Sequence, residues 1–249
     1  MEWAIAPKTL TGWRGSDLPP ARVLVPTHEI PTRRTARYVT LGGGSGSGQA
    51  VREVWLACHG YGQLAERWSR HFQPLARPDR LVLVPEALSR FYLDRNYQRV
   101  GASWMTREAR EAEIADQIHY LDRVVRESCE REGADPRTVR LVAFGFSQGT
   151  ATVCRWLERS PLAASRETRA HRLILWGGRL PTDLDLANEK PWMERADVVL
   201  VAGDRDPIAT PGRVIQQEKL LGEAGIGHRT VSYPGEHRLN ARVLAALAE

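Results

Sequence analysis

Long hydrophobic runs are missing from this chain. No stretch approaches the roughly 20 consecutive apolar residues that a membrane-crossing helix needs, so no membrane span is expected. The first 20 residues lack the apolar segment of a secretory leader. With Pro7, Pro19 and Pro20 among them, they are expected to run irregularly. Cysteine is scarce, with only Cys58, Cys129 and Cys154. A sparse, odd set inside apolar segments argues against a disulfide framework and fits reduced, buried thiols in a cytoplasmic protein. Lysine is nearly absent, so the net charge of +5 comes almost wholly from arginine. Those arginines are scattered among Asp and Glu, with no basic run and no aromatic-basic motif, which speaks against a nucleic-acid partner. No internal repeat and no interdomain linker is visible, and 249 residues suit one α/β domain spanning 1–249.

What is present is an alternation of strand and helix patterns. Arg34 to Leu41, Val51 to Cys58, Leu81 to Val84, Arg140 to Phe144, Leu173 to Trp176, Val198 to Val201 and Arg229 to Tyr233 read as strands. Glu108 to Arg131 reads as a long helix, because Ile114, Ile118, Leu121 and Val125 fall on one face, with Gly133 as its stop. Further helices are expected over Arg213 to Glu223 and around Leu239 to Leu247. Strands alternating with helices predict a mostly parallel central sheet covered on both faces, with the ligand site beyond the carboxyl ends of the strands. The run Gly42 to Gly48 lacks the Gly-Lys-Ser/Thr ending of a phosphate loop. It is expected to be a flexible hairpin loop between the first two strands.

The segment Gly145-Phe146-Ser147-Gln148-Gly149 stands between a buried-strand pattern and a helical one. That is the setting of a nucleophile elbow, in which a sharp turn lifts the serine hydroxyl above the sheet edge. A serine needs a base, and the base needs a carboxylate to orient it. Asp204 and Asp206 both follow the buried strand Val198–Val201, and His237 lies in the loop Pro234-Gly235-Glu236-His237 after the last strand. His228 begins that strand, at the opposite edge. His28, His71, His119 and His171 sit in no comparable loop. Two donors for a developing oxyanion are also required. One is expected from the backbone N–H of Gln148. The other is expected from Tyr61, since His59-Gly60-Tyr61-Gly62 resembles an H-G-x-G loop, with His59 as its scaffold.

Taken together, these segments resemble the α/β-hydrolase superfamily, and within it the phospholipase/carboxylesterase group that includes the acyl-protein thioesterases. The resemblance runs from about Val51 to the C-terminus. Gly203-x-x-Asp206-Pro207 and Pro234-Gly235-x-His237 carry it beside the elbow, and it favours Asp206 over Asp204. It implies the α/β-hydrolase fold, a Ser147–Asp206–His237 triad, and ester cleavage without a metal or organic cofactor. The implied substrate is a small or medium acyl ester. A thioesterase or lysophospholipase would use the same residues, and a non-catalytic binding protein is the reading from another class. Three positions depart from the group: Gln63 replaces an acidic residue, Thr150 replaces a glycine, and Pro211 stands further from Asp206 than in the Asp-Pro-x-x-Pro pattern.

Ser89 to Thr106 shows no clear periodicity and concentrates Phe91, Tyr92, Tyr97, Trp104 and Met105. It is expected to be a loop walling the substrate pocket, with Phe91, Tyr92, Trp104 and Met105 against the acyl chain. Arg90, Arg95 and Arg99 lie in the same stretch, either solvated or aimed at an anionic group.

Overall fold

The run Val54-Trp55-Leu56-Ala57-Cys58 is apolar at every position, which suits only a strand covered on both faces. The computed structural model describes residues 26–44, 48–163, 170–186 and 191–249. The irregular path expected for the first 20 residues lies outside that range. The chain divides into a unit ending at Thr35 and a unit running from Ala36 to Glu249. Residues 26–35, the described part of the first unit, form no helix or strand.

The second unit holds a seven-stranded sheet. Its strands are β1 (Tyr38–Gly42), β2 (Glu53–Cys58), β3 (Arg80–Pro85), β6 (Arg140–Phe146), β7 (Ala170–Trp176), β8 (Asp197–Gly203) and β9 (His228–Tyr233), in the order β1-β3-β2-β6-β7-β8-β9. From β3 to β9 every neighbour is parallel. Only β1 runs against its neighbour, pairing with β3 so that Val39 faces Val84. The expected hairpin between β1 and β2 is therefore absent. Residues 43–52 carry the chain past β3, and 45–47 lie outside the described residues.

Successive residues of each strand point to opposite faces. Along β6, Leu141 and Ala143 enter one core while Val142 and Phe144 enter the other. The first core is covered by α2 (Arg110–Arg131) and α3 (Gln148–Arg159), which contribute Ile114, Leu121, Val153 and Trp156. The second is covered by α1 (Ala65–Trp68), a 3-10 helix over Ser69–Leu75, and α6 (Ala241–Leu247), which contribute Trp68, Phe72 and Leu244. Helix α2 follows its periodicity, with Ile114, Ile118, Leu121 and Val125 all buried. It stops where Gly133 takes φ +65°, the left-handed conformation that favours glycine. The remaining helices are α4 (Pro191–Glu194) and α5 (Pro211–Glu223).

Ser89–Thr106 is more regular than its sequence suggests. It forms an antiparallel pair, β4 (Ser89–Tyr92) and β5 (Val100–Ser103), joined by residues 93–99. Each strand has four residues, too few for an alternation to stand out.

Leu121 is 0% exposed within the first core, whereas Leu220 of α5 is 46% exposed. Leu121→Ala should cost about 2–5 kcal/mol of unfolding free energy in urea denaturation, and Leu220→Ala less than about 0.5 kcal/mol. Similar losses for both would contradict the assignment of the core.

Candidate active site

Ser147 caps the N-terminus of α3 at φ 54°, ψ −114°, a conformation that costs a non-glycine residue on the order of 1–3 kcal/mol. Three glycines surround it because nothing larger fits. A Cβ on Gly149 would stand 2.1 Å from the Cys58 carbonyl oxygen, and one on Gly145 would stand 2.5 Å from Cα of Thr150. A Cβ on Gly178 would stand 2.4 Å from the Ser147 oxygen. The turn is pinned by Ser147 N–H donating to Trp176 O at 2.8 Å and Thr150 N–H donating to Ser147 O at 3.1 Å. The Ser147 side chain makes no capping bond, which leaves its hydroxyl free of the helix.

His237 reaches the same strand ends. Its ring centroid lies 4.8 Å from that of Phe146, beside the serine. A Cβ on Gly177 would meet His237 Cε1 at 3.1 Å. His237 Nδ1 lies 2.7 Å from Asp206 Oδ2. A carboxylate only accepts, so Nδ1 carries the proton and Nε2 keeps its lone pair. Asp206 is itself fixed, since its Oδ1 accepts from the N–H groups of Ile208 at 2.7 Å and Ala209 at 2.8 Å. It is 3% exposed. Asp204 has a different task. Its Oδ1 accepts from Gly235 N–H at 2.9 Å and holds the turn that precedes His237. A Cβ on Gly203 would stand 2.4 Å from Gly235 O, so this turn also packs against bare backbone.

Tyr233 is a brace that no local sequence pattern singles out. Its buried hydroxyl accepts from Trp176 Nε1–H at 3.0 Å and donates to Arg238 O, with Glu236 O at 3.3 Å. It thereby ties the residues flanking His237 to the end of β7. Burial raises its phenol pKa.

The loop after β2 is equally built. His59 is fully buried. Its Nδ1–H donates to Gly60 O at 2.8 Å, and its Nε2 accepts from Ala87 N–H at 3.1 Å. Both ring nitrogens are committed with the imidazole neutral, and burial depresses its pKa to about 4. His59 is therefore scaffold, not base. Gln63 Oε1 accepts from Gly60 N–H at 2.7 Å, so an uncharged amide supplies an acceptor where the group has an acid. Gly62, at φ +75°, donates its N–H to Ala102 O on β5 at 2.8 Å. Tyr61, between them, exposes its ring to solvent and packs it at a tilt against Phe91 of β4, with ring centroids 5.0 Å apart.

The other oxyanion-donor candidate, Gln148, is bound to the same strand. Its Oε1 accepts from Trp104 N–H at 3.1 Å, and its Nε2 donates to Ser103 Oγ at 3.1 Å and Met105 O at 3.0 Å. As the first residue of α3, Gln148 has no intrahelical acceptor for its own N–H. The β4–β5 hairpin thus ties down both the Gly60–Gly62 loop and the start of α3.

The residues expected to wall a pocket fall into different settings. Trp104 is turned inward, buried in the first core, with Nε1–H donating to His59 O at 2.8 Å. Phe91 and Met105 are half-buried, the first against Tyr61 and the second with its Sδ 3.2 Å from Arg155 Nη1. Tyr92 is exposed and packs edge-on against Tyr97. Arg90 is engaged with buried Glu86 at 2.8 Å, which Arg37 also contacts. The three cysteines are free and buried, and burial pushes their thiols up, Cys129 to about 12. Among the described residues, no cluster of His, Cys, Asp or Glu is arranged to hold a metal ion, and no helix is long and apolar enough to cross a membrane.

A family model described as phospholipase/carboxylesterase matches residues 46–249. No curated protein matches the sequence. Among solved structures, acyl-protein thioesterase 2 of Zea mays is 16% identical with a TM-score of 0.60, over 86% of this chain and 100% of that one. The Bacillus cereus carboxylesterase is 16% identical with a TM-score of 0.58, over 86% and 92%. Esterase PE8 is 18% identical with a TM-score of 0.56, over 86% and 97%. At these identities the likeness is one of fold.

Because burial depresses the His59 pKa, the unfolded chain binds a proton there that the fold excludes. That contribution is complete above about pH 6.5 and is lost as pH falls toward about 4. At about pH 5 about 2 kcal/mol of it should be lost. Urea denaturation at about pH 7 and about pH 5 tests this against His59→Gln. The wild type should lose about 2 kcal/mol more than the variant on acidification, and equal losses would contradict it.

Proposed function

The chain belongs to the phospholipase/carboxylesterase family, and from that premise we propose that it is a serine hydrolase. It cleaves carboxylic esters of small or medium acyl chains through an acyl-enzyme on Ser147. The observation that carries this reading is the 2.7 Å contact of His237 Nδ1 with Asp206 Oδ2, at the strand ends where Ser147 is held in its turn. Nε2 of His237 takes the proton of the Ser147 hydroxyl as Oγ attacks the ester carbonyl carbon. The carbonyl electron pair moves onto oxygen, which accepts from the N–H groups of Tyr61 and Gln148. Asp206 stabilises the imidazolium. The carbon–oxygen bond then breaks, and the leaving alkoxide takes the proton from Nε2. A water molecule attacks the acyl-enzyme by the same route, releasing the acid and restoring Ser147.

Phe91, which packs on the Tyr61 ring, and Met105, whose carbonyl holds the Gln148 side chain, form the acyl wall in this reading, with Tyr92 at its rim and Trp104 behind it. A thioester would meet the same groups, so an ester and thioester panel sets the preference. The three free thiols accord with a reducing, cytoplasmic setting.

Ser147→Ala should lower kcat on p-nitrophenyl butyrate by about 10⁴-fold or more, and Asp206→Asn by a similar factor through loss of the His237 tautomer. Asp204→Asn should cost less than about 10-fold, since it loosens only the turn before His237. Parent-rate turnover by Ser147→Ala would overturn the assignment. Trp104→Phe keeps a ring but leaves His59 O without its donor, costing about 1–2 kcal/mol of stability. Its turnover should fall by one factor across acetyl, butyryl and octanoyl esters. A loss confined to octanoyl ester would instead put Trp104 in direct contact with the chain.

A further inference from the structure

A cavity of about 460 Å³ takes Gly62 and Gln63 as one wall and includes none of Ser147, Asp206 or His237 in its lining. Its size falls within the ~300–1,000 Å³ of small-molecule sites. The rest of the lining comes from α1, the 3-10 helix and the β4–β5 connection, and it has one chemical bias. Arg67, His71 and Arg99 face it, and no Asp or Glu does. Among the described residues, neither the Arg67 nor the Arg99 side chain is held by an ion pair or hydrogen bond. Arg90, from the same hairpin, is already taken by Glu86. The lining also holds two exposed apolar side chains, Leu93 and Val100, with Leu93 packed against Gly62.

We propose that this cavity is a second ligand site, separate from the serine, that binds a small organic anion carrying an apolar body. Carboxylate and phosphate monoester share the recognising chemistry. An arginine engages either with charge-assisted, bidentate hydrogen bonds, while the apolar body packs on Leu93 and Val100. Occupancy is transmitted to the oxyanion loop through Gln63, which lines the cavity and whose Oε1 holds Gly60 N–H at 2.7 Å. The binding claim is independent of the hydrolase reading; the coupling to turnover rests on it.

The experiment is isothermal titration of the full chain with phenylacetate, phenyl phosphate and uncharged phenylacetamide. It is repeated on Arg99→Gln and on Arg67→Gln/Arg99→Gln, with melting curves to verify folding. Both arginines are exposed, so the variants should melt as the parent does. At least one anion should bind about tenfold more tightly than the amide, and the double substitution should weaken that anion by about tenfold or more, with Arg99→Gln between. The tighter of the two anions identifies the natural head group. Amide binding as tight as the anions, or an unchanged anion Kd in the folded double variant, overturns the site. In p-nitrophenyl acetate assays the anion should alter kcat, whereas strict competition with the ester would overturn its separation from the serine. If no ester is turned over, the hydrolase reading falls while the titration still decides the site.

Discussion

The close approach of α3 to the end of β2 is the constraint on which the site depends. Gly149 rests against the Cys58 and His59 carbonyls with no room for a Cβ, and Gly145 and Gly178 close the other sides. This contact forces the turn at Ser147 into a positive φ that serine resists. The strain persists because the surrounding sheet, buried on both faces, fixes the ends of the turn. The same close approach joins the start of α3 to the loop after β2, so the candidate nucleophile and the candidate oxyanion donors are positioned by one packing contact.

Around that contact lies a polar scaffold with few loose ends. His59, Gln63 and the side chain of Gln148 each satisfy backbone groups, and all three connect to the β5 strand or to Trp104 just after it. The histidine side is braced by a separate set: Tyr233 from within, Asp204 at the turn and two amides on Asp206. The triad candidates therefore stand on two independent supports, one at β5 and one at β9, that meet at the ends of β6 and β7. Such support matters because a displacement of about 1 Å in a reacting group costs on the order of 100-fold in rate.

Much of this was legible in the sequence. The fully apolar strand runs and the spacing of Ile114, Ile118, Leu121 and Val125 specify a covered parallel sheet and its long helix, because burial on two faces and a 3.6-residue repeat leave composition signals. The elbow and the loop around His237 were legible because their glycines are demanded by steric contact. Pairing across the chain was not. The antiparallel match of β1 with β3 depends on partners that local patterns do not encode, and β4 and β5 are too short to show a period. Side-chain roles that depend on a distant acceptor were hidden too. Nothing adjacent to Gln63 signals that its amide substitutes for an acid, and Trp104 reads as a pocket aromatic until its indole is seen bonding to His59 O. Asp204 and Asp206 share one loop, and local pattern alone does not separate them; the resemblance favours Asp206, and it is Asp206 that the imidazole meets.

The proposed hydrolase stands or falls on activation of Ser147 by His237. Peptide mass spectrometry after treatment with a fluorophosphonate decides it. One covalent adduct is expected, on the tryptic peptide containing Ser147, with loss of that adduct in a folded His237→Gln variant. An adduct on another residue, or undiminished labelling of Ser147 without His237, would contradict it.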